Sequence, residues 1–394
     1  MRAKKEVTQR KRLQVVLLPW LKMEKKLTVG KVVFWPYSLF KKRGRVNQEV
    51  FTFLDRYVAC YRDADDNLLR EMTLCTLDRP YLRPIDEEKL NEIDEAVRAL
   101  SFASISNNAA SRIYNFSLAQ SDAFQWFVQN FDPREDTVVV PEPGFTGIYK
   151  LGEVGFRAPF RGRQVQPRLD QDGLVSGLGA MLIQRPKAVT DRVLRSTEWF
   201  RMGFSTTTRL SDEAKVVMLA TALEGLLLAD KRVSGKQEAI ALRLEEDIAK
   251  ASTFSFKTKK DKLCNKKRTL SLLAWWGSEF YKLRNAIVHG DTRAHSLVNY
   301  TTAGGDEVSH LWTAAVVMRD LVIRSLFEQQ LFGNEIRAAA KRLASRARES
   351  EREEIFRNHL YWRLEQAFGL RNPYEELEWL QQRKPPLVSA GGKP

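Results

Sequence analysis

Arg284, Asn285 and His289 lie near the end of an apolar, helix-like stretch, and their side chains suit phosphate binding and proton transfer. Histidine has an ordinary pKa of about 6.5, so it can exchange a proton near neutrality. Arginine keeps its charge and can donate two parallel hydrogen bonds to a phosphate. We therefore take these three residues as candidates for a catalytic site that holds a phosphate and moves a proton.

The spacing of the three residues limits what one helix can do with them. Asn285 and His289 are four residues apart and share a helix face, whereas Arg284 and His289 point about 140° apart. One helix alone therefore cannot close both Arg284 and His289 on a single phosphate. Gly290 suits the left-handed position just after a helix, which places His289 in the last turn, where the helix dipole favours imidazolium.

A purely structural interpretation of the same residues is also open. His289 can serve as a histidine that caps the C-terminus of the helix, and Arg284 can pair with a carboxylate from a neighbouring helix. Neither role requires any chemistry.

Metal and cofactor chemistry are not expected. The four histidines are His289, His295, His310 and His359, and none stands near a cysteine pair. The three cysteines form no Cys-x-x-Cys motif, which argues against a zinc ribbon and a disulfide framework and favours a reducing compartment. No phosphate-binding loop, dinucleotide fingerprint or nucleophile elbow is present, so ATP-driven and hydride-transfer reactions are excluded as expectations.

The second half of the chain should position the candidate residues in a helical bundle with few strands. In the fifth helix the apolar residues recur at steps of three and four and form a buried stripe: Leu273, Trp276, Phe280, Leu283 and Ile287. The predicted helices cover residues 173–184, 188–203, 211–229, 236–251, 269–289 and 310–332.

The first half has the mixed pattern of an α+β domain. A helix should begin after Asp86, and a second should cover residues 118–131. The segment 157–168 resembles a linker, so we expect an α+β domain over 1–168, a helical domain over 169–333, and a helical extension with a disordered tail over 334–394. The predicted strands cover residues 14–18, 28–35, 50–61 and 68–77, the last two as a hairpin, with two more around a Pro-Gly turn in 137–149.

The formal net charge of +15 at pH 7 is concentrated in two basic stretches, residues 1–50 and 257–268. Such a charge favours an anionic partner, with nucleic acid ahead of a membrane surface. The second stretch runs directly into the helix that carries Arg284, so it is placed to bind an RNA backbone, although a solvated loop is the alternative. Its basic residues are Lys257, Lys259, Lys260, Lys262, Lys266, Lys267 and Arg268.

Three segments in the second half resemble, in the same order, the motifs of one ribonuclease family. FYKLRNAIVHG is similar to the Arg-Asn-x-x-x-His signature of HEPN ribonucleases. LATALEGLLLAD and IALRLEEDIA resemble the Ala-Leu-Glu helix and the following arginine-containing helix of the Apea-like HEPN branch. The resemblance covers roughly residues 171–333.

The resemblance implies a homodimer that cuts RNA without a metal or cofactor. Arg284 would hold the scissile phosphate, Asn285 would orient it, and His289 would act as acid or base. Glu224 would orient Arg284 or His289, while Arg243 matches a family arginine and could equally form a surface ion pair. Asp291 stands where one subgroup, toxins paired with nucleotidyltransferase antitoxins, carries a tyrosine, so regulation by tyrosine modification is not expected.

The same resemblance suggests an abortive antiphage effector acting on host or phage RNA, tRNA included, with the first domain selecting the substrate or sensing a phage-derived trigger. No stretch approaches the length of a membrane span and no signal peptide is expected, so the predicted location is cytoplasmic. The rival hypothesis is a non-catalytic helical module that binds RNA or a protein.

Overall fold

The protein combines an antiparallel sheet with a group of helices, which confirms the predicted α+β class. A computed structural model describes residues 13–43, 47–77, 85–110, 121–142, 145–158, 164–167, 169, 173–205, 210–228, 235–247, 256–257, 269–270, 272–292, 294–301 and 307–331.

The strands lie in both halves of the chain. They are β1 (Leu13–Leu18), β2 (Leu27–Val29), β3 (Val32–Pro36), β4 (Tyr61–Arg62), β5 (Thr73–Leu77), β6 (Phe127–Asp132), β7 (Thr137–Glu142), β8 (Phe145–Lys150), β9 (Phe156–Arg157), β10 (Phe256–Lys257), β11 (Thr269–Leu270), β12 (Asn299–Thr301) and β13 (Glu307–Ser309). Within the described ranges, seven of them form one antiparallel sheet in the order β2-β3-β5-β1-β6-β7-β8.

The helices follow the same chain order. They are α1 (Tyr37–Arg43), α2 (Gln48–Val58), α3 (Glu87–Ala110), α4 (Leu174–Gln184), α5 (Lys187–Gly203), α6 (Asp212–Leu228), α7 (Lys236–Asp247), α8 (Leu272–Val288) and α9 (His310–Glu328). The starts of α3 and α6 agree with the prediction: Asp86 accepts a hydrogen bond from Lys89 N at 3.0 Å, and Ser211 Oγ accepts one from Ala214 N at 3.3 Å.

The predicted strand over 50–61 is wrong, because this segment belongs to α2. Asn47 caps the helix by accepting a hydrogen bond from Val50 N at 2.9 Å, and the buried residues recur at helical spacing. Phe53 stacks on Phe131 of β6 with ring centroids 5.0 Å apart, so α2 covers one face of the sheet. Packing against the sheet therefore outweighs the aromatic and β-branched composition of the segment.

The predicted hairpin between 50–61 and 68–77 is consequently absent, and β5 occupies only the end of the second segment. Between β1 and β3, β5 pairs Val16 with Cys75 on one side and Phe34 with Cys75 on the other. The predicted single strand over 28–35 is two strands, β2 and β3, joined by a turn in which Gly30 has a φ of 62°. Only glycine adopts that conformation without strain.

The predicted helix over 118–131 is also wrong where the chain is described. Residues 121–124 form one 3-10 turn, and Phe127–Asp132 is strand β6, which pairs along β1. The two strands around the Pro-Gly turn are confirmed as β7 and β8. In the predicted linker, Val165 exchanges backbone hydrogen bonds with Trp20 and Lys22 at 2.9 Å, so this part of it is attached to the sheet.

The second half is not purely helical, which corrects the predicted all-α bundle. Two antiparallel pairs, β10 with β11 and β12 with β13, interrupt the helices. Thr269 and Leu270 therefore belong to a strand, and α8 begins at Leu272 rather than at 269. The predicted helical extension and tail over 334–394 lie outside the described residues.

The hydrophobic core continues across the predicted domain boundary. Helix α3, from the first half, packs against α4, α5 and α9 of the second half, and one cluster of buried residues runs from Val15 to Leu331. In α4, a Cβ added to Gly179 would lie 3.0 Å from Gly30 N, so this helix sits directly on the β2–β3 turn. The division at 168 stays a prediction, but the described parts share one core.

Candidate active site

Helix α8 carries Arg284 and Asn285 and is held by the predicted apolar stripe. Leu273, Trp276, Phe280 and Leu283 are buried, and Ile287 is half-buried against the same core. Trp276 and Phe280 stack with ring centroids 5.0 Å apart. Helices α6 and α7 both pack against α8, so its orientation is set by two neighbours.

The start of α9 fixes α8 from a third side. Trp276 Nε1 donates a hydrogen bond to His310 Nδ1 at 3.1 Å, which requires the His310 ring to be neutral. The His310 ring also stacks on Phe280 at 5.9 Å. Burial lowers the pKa of His310 to about 4, so the ring is neutral at physiological pH.

Backbone hydrogen bonds close the C-terminal end of α8 just beyond His289. Gly290 adopts a φ of 76°, and its N–H donates to Ile287 O at 3.0 Å, while Asp291 N donates to Ala286 O at 2.9 Å. This is the Schellman arrangement, in which the chain itself satisfies the last carbonyls. It places His289 at the C-cap with an exposed side chain, and among the described residues no hydrogen bond or ion pair engages its ring.

Arg284 and Asn285 are brought together at the same end of the helix. Arg284 Nη1 donates a hydrogen bond to Asn285 Oδ1 at 3.0 Å, and Asn285 O accepts the backbone N–H of His289 at 3.0 Å. The Arg284 guanidinium lies over the Tyr281 ring, with Cζ 5.4 Å from the centroid. Arg284 Nε is buried and has no hydrogen-bond partner within the described ranges.

Glu224 lies beside this group but does not bind it directly. Its carboxylate on α6 accepts hydrogen bonds from Tyr281 Oη at 3.0 Å and from Lys236 Nζ. No hydrogen bond or ion pair joins Glu224 to Arg284 or His289 in the described part of the chain, so the predicted role as their direct orienter is not what the contacts show. Glu224 instead reaches Arg284 through Tyr281.

Tyr281 and Lys236 are site residues that the sequence reasoning missed. Burial, together with the hydrogen bond to Glu224 and the charge of that carboxylate, raises the pKa of Tyr281 to about 12, so the hydroxyl stays protonated and donates. Tyr281 stands three residues before Arg284, a spacing that places two side chains on neighbouring turns. Lys236 is the first residue of α7 and no local pattern connects it with α8.

Two further predicted groups have a limited description. Arg243 lies half-buried on α7, which packs against α8. Lys257 is in β10, whereas Lys259, Lys260, Lys262, Lys266, Lys267 and Arg268 fall outside the described residues. Because Phe256 pairs with Leu270 and Lys257 with Thr269, the two ends of the basic stretch meet just before α8 begins.

A search for other chemistry in the described ranges yields little. No group of three or more histidine, cysteine, aspartate or glutamate side chains is placed there to hold a metal ion. None of the described helices is long and apolar enough to cross a membrane.

Comparisons with protein-family models, with curated proteins and with solved structures give no match to this chain.

Proposed function

We propose that the protein is an endoribonuclease that cuts RNA without a metal, through attack by the 2′-hydroxyl at a site built from Arg284, Asn285 and His289. In such a reaction the protein must remove one proton, stabilise a dianionic phosphorane and protonate the 5′-oxygen that leaves. Arg284 binds the phosphate, Asn285 holds the arginine and orients the phosphate, and His289 transfers a proton.

The observation that carries this proposal is that neither Arg284 nor His289 has the structural task that would otherwise explain it. Backbone hydrogen bonds from Gly290 and Asp291 complete the end of α8, so the His289 ring is not needed as a cap. No described carboxylate forms an ion pair with Arg284, whose observed hydrogen bond runs to the neutral Asn285. A cation and an exposed imidazole are therefore available at one end of one helix.

Two further features support RNA as the substrate. The basic stretch 257–268 is closed at its base by the β10–β11 pair and leads into α8, so its charges enter the chain next to the site helix. The resemblance to Apea-like HEPN ribonucleases extends the proposal to a homodimer that acts on host or phage RNA, including tRNA, in abortive antiphage defence in the cytoplasm. In that setting the sheet-containing part would respond to a phage-derived trigger.

The direct test is cleavage of tRNA and total RNA by the purified full chain in excess EDTA. The proposal expects cleavage by the wild type and loss of cleavage in Arg284→Ala. Arg157→Ala is the matched control, because this exposed arginine pairs with Asp66 in the sheet-containing part and should cleave normally. RNA that is bound but never cut, by any of the three proteins, would favour the non-catalytic binding module instead.

A further inference from the structure

Four side chains from three helices form a continuous chain of contacts beside the candidate site. Both oxygens of Glu224 are engaged: Lys236 Nζ donates to Oε1, and Tyr281 Oη donates to Oε2 at 3.0 Å. Tyr281 is only 4% exposed, so its position is set by the packing of α6, α7 and α8.

Tyr281 touches the arginine as well as the carboxylate. The Arg284 guanidinium lies over the face of the Tyr281 ring at 5.4 Å, and Nη1 is turned toward Asn285. One tyrosine thus separates a cation that has no described ion pair from a carboxylate of opposite charge.

This separation matters because carboxylate and phosphate compete for the same donors. A guanidinium binds either group through two parallel hydrogen bonds, and a close Arg–Glu pair would use the donors that a phosphate needs. Lys236 and Tyr281 occupy both oxygens of Glu224 and so keep this carboxylate away from Arg284.

We propose that Tyr281 is a positioning residue of the site, which acts with Lys236 to hold Glu224 away from Arg284 and supports the guanidinium on its ring. The consequence is an arginine that stays open to a phosphate although a carboxylate lies nearby. This inference rests on the proposed ribonuclease function for its kinetic consequence, but its structural content can be measured without any activity.

The kinetic test uses Tyr281→Phe, which keeps the ring under Arg284 and removes only the donor to Glu224. The freed oxygen should then pair with Arg284, so KM for RNA should rise about fivefold to tenfold while kcat changes little. Lys236→Met frees the other oxygen and should act in the same direction. Tyr37→Phe is the matched control, because it removes a similar tyrosine–carboxylate bond, to Asp55 at 2.7 Å, far from α8.

Rescue separates positioning from a general loss of packing. Adding Glu224→Gln to Tyr281→Phe removes the competing charge and should bring KM back to within about twofold of the wild type. A double variant no better than Tyr281→Phe alone would overturn the proposal, as would an unchanged KM in both single variants.

A structure of the Tyr281→Phe protein tests the same claim independently of catalysis. We expect the Glu224 carboxylate within 4 Å of the Arg284 guanidinium in that variant, the distance at which an ion pair forms. Glu224 remaining on Lys236 with Arg284 unmoved would refute the positioning role. If the wild type does not cleave RNA, the proposed function fails, and this comparison still decides whether Tyr281 holds the two charges apart.

Discussion

His289 is exposed because the helix that carries it ends without the help of its side chain. The N–H groups of Gly290 and Asp291 bind the last carbonyls of α8 from the far side of the turn. A residue at such a position contributes its backbone to the fold, whereas its imidazole faces solvent. At the residue scale, stability and chemistry should therefore be separable at this position.

The first prediction concerns that separation. His289→Ala should lose about 10²-fold or more of the cleavage rate, as expected when a positioned acid or base is removed, with an unchanged free energy of unfolding. The measurements are single-turnover cleavage and urea unfolding of both proteins. His295→Ala, a second histidine six residues further on, is the control and should cleave normally.

An unfolding midpoint that falls together with the rate would contradict this account and support a structural histidine. Full activity in His289→Ala would remove the residue from the mechanism altogether.

Single residues were predictable where spacing along one helix decides the outcome. Arg284, Asn285 and His289 follow one another in the sequence, and the left-handed Gly290 could be expected from the pattern. Tyr281 and Lys236 could not be assigned in the same way, because their contacts with Glu224 depend on how α6, α7 and α8 pack. A pattern along one chain segment carries no information about that packing.

At the scale of elements, the position of α8 depends on a neutral histidine at the start of α9. His310 accepts the Trp276 indole N–H and stacks on Phe280, which is part of the stripe that holds α8 in the core. A protonated ring could not accept that hydrogen bond. Acid should therefore loosen the contact between the site helix and α9.

The second prediction is a pH dependence of stability caused by His310. Its pKa in the folded protein is about 4, below the ordinary value of 6.5, so between these values the unfolded chain binds more protons than the folded one. The free energy of unfolding should then fall as pH drops from 6.5 to 4, by at most about 3 kcal/mol from this residue. Urea unfolding at several pH values measures the decrease.

His310→Gln is the matched variant, because its amide oxygen can accept the Trp276 hydrogen bond and does not titrate. Carboxylates contribute equally to both proteins, so the difference between the two pH profiles isolates His310. Parallel profiles would show that this ring does not control the stability of the bundle.

Elements were predictable where local signals and packing agree. Helices α4, α5, α6 and α9 begin within a residue of their predicted starts, since their caps and apolar spacing point to the same structure. For α2 and β6, composition and packing disagree: an aromatic, β-branched segment folds as a helix on the sheet, and a segment with apolar spacing pairs with β1. The short pairs β10–β11 and β12–β13 carry too few residues for a period to be read.

The third prediction concerns the basic stretch that leads into α8. Neutralising Lys259, Lys260, Lys266 and Lys267 together should weaken RNA binding and flatten its salt dependence by up to about 0.7 per lost phosphate contact on a single strand. Fluorescence anisotropy with an uncleavable 2′-O-methyl RNA at several salt concentrations gives the slope. An unchanged slope would make the stretch a bystander.

At the scale of the whole molecule, the described parts of the sheet and the helices share one core through α3. A change of packing in the sheet-containing part therefore has a direct route to the helices that hold Glu224 and Arg284. The site itself has one limit that this core cannot remove, because Arg284 and His289 point about 140° apart on one helix. A site that uses both on one phosphate requires a second copy of the chain around a two-fold axis.

The fourth prediction tests that arrangement by mixing two inactive proteins, Arg284→Ala and His289→Ala, under conditions that allow subunits to exchange. If the site is shared between chains, some heterodimers regain one intact pair of Arg284 and His289, and a fraction of the wild-type activity returns. Mixing two samples of the same variant is the control and should give none. A mixture that stays inactive after proven exchange would mean that each chain forms its own site.

The central claim is that the 2′-hydroxyl of RNA attacks a phosphate held by Arg284, and the most direct measurement replaces that hydroxyl. Two oligonucleotides of the same sequence, one all RNA and one with a single 2′-deoxy nucleotide at the cut site, are incubated with the protein in EDTA. Our account predicts that only the RNA is cut there, leaving a 2′,3′-cyclic phosphate and a 5′-hydroxyl end. Equal cleavage of both, or products with 5′-phosphate ends, would contradict it.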